Sequence, residues 1–208
     1  VAGDEVKGSG ANLYGHEVQV VDADATTSAE LDTAERNPLR GRVYRFKGNL
    51  TVNKGLVFLN AESQGERGSG LVIVDGDLTI EDNMSYAPAG GGTSARGLAS
   101  VGWLVRGNLI VRGQVGGLVG AYYVSGTTKG GGSFTVEPSN LQLSIHGALI
   151  ARRFDFGRTY YDSPGPTGTE GAAERVVADG RVLINTPPGF SDILHALPAW
   201  QLQAPVTP

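Results

Sequence analysis

Five glycines are each followed within two residues by a short apolar run: Gly48-Asn49-Leu50-Thr51-Val52, Gly76-Asp77-Leu78-Thr79-Ile80, Gly107-Asn108-Leu109-Ile110-Val111, Gly147-Ala148-Leu149-Ile150-Ala151 and Gly180-Arg181-Val182-Leu183-Ile184. These glycines are 28, 31, 40 and 33 residues apart, which is a repeat with variable insertions. A unit of this size cannot bury its own apolar face and is completed by stacking on its neighbours. The unit is made of strands, because its apolar residues alternate: Val72 and Val74 precede the polar corner Asp75-Gly76-Asp77, and Leu78 and Ile80 follow it. A glycine beside Asp or Asn at that corner is expected to supply the positive φ of a sharp turn. The pattern predicts an all-β chain folded as a right-handed parallel β-helix, or β-solenoid, with long Gly-rich loop insertions and atypical capping termini.

Length and composition fit one elongated domain of 208 residues. Thirty-two glycines stand well above the usual frequency of ~7%, and they fall mostly at corners and in loops. Helix signals are confined to residues 28–36, where Ser28 can cap and Glu30 and Asp32 favour a first turn, and to residues 192–197. The organisation expected is an N-terminal arm and cap over 1–42, open to exchange between subunits, a solenoid over 43–185, and a C-terminal cap and tail over 186–208. Residues 86–99, 125–133 and 160–171 carry Gly- and Pro-rich stretches and read as flexible loops.

Seventeen basic against 21 acidic residues give a formal net charge of −4, without the basic stripe that nucleic-acid binding needs. Arg40, Arg42, Arg45 and Lys47 flank the first repeat as a solvated face. Arg152, Arg153 and Arg158 form a second cluster with Phe154, Phe156, Tyr160 and Tyr161. Such a mixture suits Arg covering aromatic surface at a subunit contact better than it suits stacking on bases. The absence of cysteine removes disulfides, thiolate chemistry and most zinc sites. No apolar run approaches the ~20 residues that span a bilayer. The chain begins at Val1 and holds one methionine, Met84, so either a processed mature form or a piece of a longer product is expected; a signal peptide removed from it would place it at the cell surface or outside the cell.

Parallel β-helices also host polysaccharide lyases and hydrolases, which need paired carboxylates or Asp-bound Ca²⁺ on an exposed sheet. The candidate pairs are Asp22 with Asp24, Asp75 with Asp77, and Glu81 with Asp82. The first reads as a strand end. The second sits at a corner equivalent to Gly48-Asn49 and Gly107-Asn108, where interchange with Asn fits turn chemistry. Glu81 and Asp82 are adjacent, so on a strand they point to opposite faces. His16, His146 and His195 are far apart, and His146 precedes Gly147 as an expected exposed corner residue. No catalytic triad spacing, phosphate loop or dinucleotide fingerprint is present.

The runs from Leu71 to Ile80 and from Trp103 to Val111 resemble the rungs of bactofilin-type polymer-forming β-helices and the solenoid parts of bacterial surface and pilus-associated proteins, over about residues 43–185. The resemblance implies self-assembly without a nucleotide and carries over no catalytic residue. The long loops depart from bactofilin rungs and favour an extracellular relative. The expectation is a non-enzymatic structural subunit, with no cofactor or metal, that polymerises with itself into an extracellular filament or surface coat. The alternatives are a carbohydrate-binding or polysaccharide-degrading β-helix and a monomeric adhesin or minor pilus-associated subunit. Expected partners are further copies of the chain, with cell-surface components or glycans next, and neither nucleic acid nor a membrane-spanning segment. The residues expected at subunit contacts are Leu13 and Tyr14 of the arm, Tyr122, Tyr123, Arg152, Arg153, Phe154, Phe156, Tyr160, Tyr161, and Trp200, which either plugs the open end of the core or anchors in a neighbour.

Overall fold

A computed structural model describes residues 39–159, apart from 63–64, 91–92 and 128–129, residues 173–190, and the backbone of two strands before them. Those two are β1 (Val18–Val21) and β2 (Ala25–Thr26). They are followed by β3 (Val43–Phe46), β4 (Leu50–Val52), β5 (Leu56–Phe58), β6 (Ser69–Val74), β7 (Leu78–Ile80) and β8 (Met84–Tyr86). Then come β9 (Ser100–Val105), β10 (Leu109–Val111), β11 (Gly117–Val124), β12 (Ser133–Val136), β13 (Leu143–Ala151), β14 (Arg153–Phe156) and β15 (Glu174–Val177). The described residues form a parallel β-solenoid of about 4 turns with almost no helix.

Three sheets form its walls, in the orders β1-β3-β6-β9-β11-β13-β15, β2-β4-β7-β10-β12-β14 and β5-β8. Parallel in-register pairing makes the two-residue alternation of each strand repeat from turn to turn, so inward residues stack in columns. One column runs Tyr44, Val72, Trp103, Tyr122, Leu149; another runs Leu50, Leu78, Leu109, Phe134, Phe154. The Trp103 and Tyr122 rings lie parallel, their centroids 6.1 Å apart and their planes 4° from each other. Both residues are fully buried. The strands expected near His16 and after Gly48, Gly76 and Gly107 are present, and β1 and β2 stack on β3 and β4 inside the segment assigned to the arm.

The fourth and fifth repeats are different from what the sequence suggests. Leu109 pairs with Phe134, so the equivalent of Gly107 is Gly132, and the next equivalent position holds Arg152. Gly147 instead lies inside β13, in register with Gly120 of β11. Both have left-handed φ values, 149° and 120°, which lets these long strands bend without breaking. The bend replaces the third wall. Gly116 and Gly117 donate to Asn83 Oδ1 at 2.7 and 2.9 Å, directly over the start of β8, before the strand swings into the seven-stranded sheet. His146 is therefore an exposed strand residue and not a corner.

The fifth run is not a strand. Arg181–Ile184 forms a single helical turn, α1, whose Arg181 N–H is capped by Asp179 Oδ1 at 2.9 Å. Only Val182 of its apolar triplet is buried. The loop over 86–99 is held on its described flanks by two asparagines. Asn60 accepts from Ala99 N–H at 2.9 Å and donates to Pro88 O at 2.9 Å, and Asn185 donates to Arg96 O and Leu98 O at 2.8 and 2.6 Å. Their bonds hold this insertion against the coil.

Candidate functional site

The corner between the two large sheets is a ladder of side-chain amides and carboxylates. Asn49 Oδ1 accepts from Asp77 N–H at 2.8 Å, Asp77 Oδ1 from Asn108 N–H at 2.7 Å, and Asn108 Oδ1 from Ser133 N–H at 3.2 Å. Each turn thus caps the next, which explains why Asn and Asp interchange there. Gly132 has the expected positive φ, 99°, whereas Gly76 and Gly107 serve close approach instead. Gly76 and Gly107 have no left-handed φ, but a Cβ on Gly107 would lie 2.2 Å from Asp77 Oδ1 and 2.6 Å from Gly76 O.

The acidic candidates are similarly engaged. Asp75 is bracketed by Arg45 at 2.8 Å and Arg106 at 3.1 Å. Glu81 faces Arg112, whose guanidinium is hydrogen-bonded to Glu137, and that bond raises the arginine's pKa above its ordinary value. Asp82 Oδ1 accepts from the neighbouring Asn83 N–H at 2.7 Å. Among the described residues, no three His, Asp or Glu side chains converge as a metal site would require. Asp22, Asp24, His16, His195 and both helical candidates, 28–36 and 192–197, lie outside the described residues.

The outer face of the six-stranded sheet carries Thr51, Thr79, Ile110, Thr135 and Asp155 at successive positions of one column. Beside it, a shallow groove of about 380 Å³ is lined by Asn108, Ile110, Arg112, Ser133, Thr135 and Glu137. Hydroxyl, amide, carboxylate and guanidinium groups in such an open groove are suited to polar, hydroxylated ligands.

The C-terminal end of the coil is built differently. Among the described residues β14 is the edge of the six-stranded sheet, and its Phe154 and Phe156 occupy inward positions of the core columns. In the preceding turns those positions are at most 2% exposed, yet Phe154 and Phe156 are 44% and 48% exposed. The two rings stack 5.8 Å apart over Phe134. Arg152 and Arg153 on the same edge are exposed, and the neighbouring edge β15 leaves Val176 half exposed.

Arg158 does not belong with this surface cluster. It is buried, donates to Leu141 O at 3.0 Å and Arg112 O at 3.1 Å, and thereby ties the chain after β14 to the two loops before it. Burial lowers its pKa, with Glu174 opposing the shift. Tyr122 is likewise corrected: it lies in the core with its hydroxyl on Val119 O at 2.9 Å, out of reach of a partner. Burial also raises its pKa and that of Tyr86. Tyr123 is half-buried on the outer face of the seven-stranded sheet. Leu13, Tyr14, Tyr160, Tyr161 and Trp200 lie outside the described residues. No local signal marks this role of Arg158, since its two carbonyl partners lie 17 and 46 residues away.

No family model, curated protein or solved structure matches this chain. Among the described residues, no helix is long and apolar enough to cross a membrane.

Proposed function

We propose that this protein is a non-enzymatic structural subunit that stacks end to end into an extracellular filament or surface coat. The observation that carries the reading is the unfinished last turn, where inward core positions Phe154 and Phe156 remain nearly half exposed on an edge strand. A further turn placed on that edge would cover both rings and pair the backbone of β14 and β15, which are edge strands among the described residues. The strands β2 and β1 of a second copy stand at the other edge of the same two sheets. Such a contact joins unlike ends, so it propagates unless it closes into a ring.

Covering what is exposed of two phenylalanines removes on the order of 180 Å² from water, worth roughly 4–5 kcal/mol. Association itself costs ~4–15 kcal/mol. The rings alone therefore do little more than offset the low end of that cost. The strand edges supply the rest, at ~0.5–1.5 kcal/mol for each backbone hydrogen bond.

The groove beside Thr135 favours a second reading, a glycan-binding solenoid that acts as a single rod. Electron microscopy and sedimentation over a concentration series separate the two. Regular fibres that are lost in Phe154→Asp/Phe156→Asp, with the strand signal in circular dichroism retained, support stacking. Dispersed rods at every concentration refute it and direct the work to glycan binding.

A further inference from the structure

The groove on the outer face of the six-stranded sheet opens to the side of the coil. Its floor is Ile110 and Thr135, neighbours in register on β10 and β12. Arg112 and Glu137 stand along one side of that floor, and Asn108 and Arg153 along the other. At about 380 Å³ it falls within the ~300–1,000 Å³ range of ligand pockets.

Most of its polar groups are held in place before any ligand arrives. Arg112 is hydrogen-bonded to Glu137 and lies 3.8 Å from Glu81. Asn108 Oδ1 accepts from Ser133 N–H at 3.2 Å, which sets the orientation of its amide. Side chains fixed in this way on a sheet lose little freedom when a ligand binds. Arg153 is the exception. Its side chain is 70% exposed, and its ion-pair partner among the described residues is Asp155, 3.8 Å away and similarly exposed. A pair so long and so open leaves most of the guanidinium's N–H donors available. Two guanidiniums and one carboxylate therefore line the groove, an excess of one positive charge on a chain whose net charge is −4.

We propose that this groove binds an acidic polysaccharide, with a uronate carboxylate held by Arg153 and sugar hydroxyls by Thr135, Asn108 and Glu137. A planar guanidinium matches a carboxylate through two parallel hydrogen bonds. Ile110 and the Thr135 methyl group offer an apolar patch for the C–H face of a sugar ring. One excess charge is too little for a polyphosphate, whose binding rests on many neutralised charges. The carboxylate that lines the groove is engaged by Arg112, whereas glycoside hydrolysis uses a carboxyl pair, so binding without cleavage is expected. The inference rests on the glycan reading of this groove and holds whether or not subunits stack.

Fluorescence anisotropy of end-labelled oligogalacturonates and of neutral cello-oligosaccharides tests it on the full chain, at a concentration where sedimentation shows single rods. The acidic probe is expected to bind more tightly than the neutral one, and less so as salt is raised. Arg153→Gln should weaken that binding at least about tenfold, and Thr135→Val about threefold. Asp155→Asn should tighten it, because the change removes a like charge and frees Arg153. Arg175→Gln, an exposed position on β15, is the control and should leave binding unchanged. An equal loss in Arg175→Gln, or binding that ignores both Arg153→Gln and Asp155→Asn, overturns the proposal. Binding of the neutral probe alone overturns the acidic class and leaves the glycan reading standing, whereas binding of neither probe overturns both.

Discussion

Replacing Gly107 by alanine tests whether the corner glycines serve close approach. The new Cβ would sit 2.2 Å from Asp77 Oδ1, 2.6 Å from Gly76 O and 2.7 Å from Gly76 C. The carboxylate can rotate away, but only by giving up its bond to Asn108 N–H. The backbone of the preceding turn cannot move without shifting its neighbours. Overpacking of this kind costs ~1–3 kcal/mol, and losing a hydrogen bond to a charged group costs ~1.5–3 kcal/mol. Restricting the unfolded chain returns ~0.4–1 kcal/mol. The expected net loss is about 3 kcal/mol, a large fraction of the ~5–15 kcal/mol that holds a domain folded. In urea, with a slope of ~1–3 kcal/mol/M, the midpoint falls by about 1–3 M.

Gly130→Ala is the control. Its φ is 83° and nothing lies within 4 Å of the added Cβ, so only backbone strain remains, at ~1–2 kcal/mol before the same unfolded-state offset. Asp77→Asn should cost less than about 1 kcal/mol, because an amide oxygen does the same work at Asn49 and Asn108. Urea unfolding followed by circular dichroism ranks the three. If Gly107→Ala is as stable as the parent chain, or more stable than Gly130→Ala, the close-approach argument is wrong.

Alkaline pH should destabilise the fold. Burial holds the Tyr86 and Tyr122 phenols above their ordinary range, whereas unfolded tyrosines ionise near ~10. The folded chain therefore keeps protons that the unfolded chain loses, so stability is fully present below about pH 10 and declines as the pH rises beyond it. Phenolate absorbance should show these two tyrosines ionising only as the chain unfolds; their titration near ~10 in folded protein would contradict the assignment. Arg158→Ala should cost about 2–3 kcal/mol by leaving the Leu141 and Arg112 carbonyls without their donor. Arg158→Lys should fall in between, since an ammonium lacks the planar fork that reaches both, and equal stability of all three proteins in urea would refute the tying role. Tyr122→Phe removes the bond to Val119 O and the weak 3.9 Å contact with Met84 Sδ and should cost ~1 kcal/mol, whereas Tyr122→Ala also empties the stack on Trp103 and should cost ~3–5 kcal/mol; similar losses would show that the ring's packing matters little.

The amino-acid sequence alone determined that this chain coils. Two-residue alternation around Asp75-Gly76-Asp77, and the recurrence of Asn or Asp beside glycine, specify strands, corners and stacking, because those signals are local and repeat. Its aromatic cluster at Phe154 and Phe156 was also visible as a candidate contact. The tertiary structure decided the register and therefore the meaning of each glycine. Gly107 admits the backbone of the previous turn, Gly147 bends a strand, and Gly102 makes room for Phe190, 88 residues further along the chain. One residue type meets all three demands, and nothing near it in sequence distinguishes them. The same limit put Tyr122 on the surface and left Arg158 without its role. Which way a side chain points depends on pairing with a strand tens of residues away, and a shift of one residue in that pairing exchanges inside for outside.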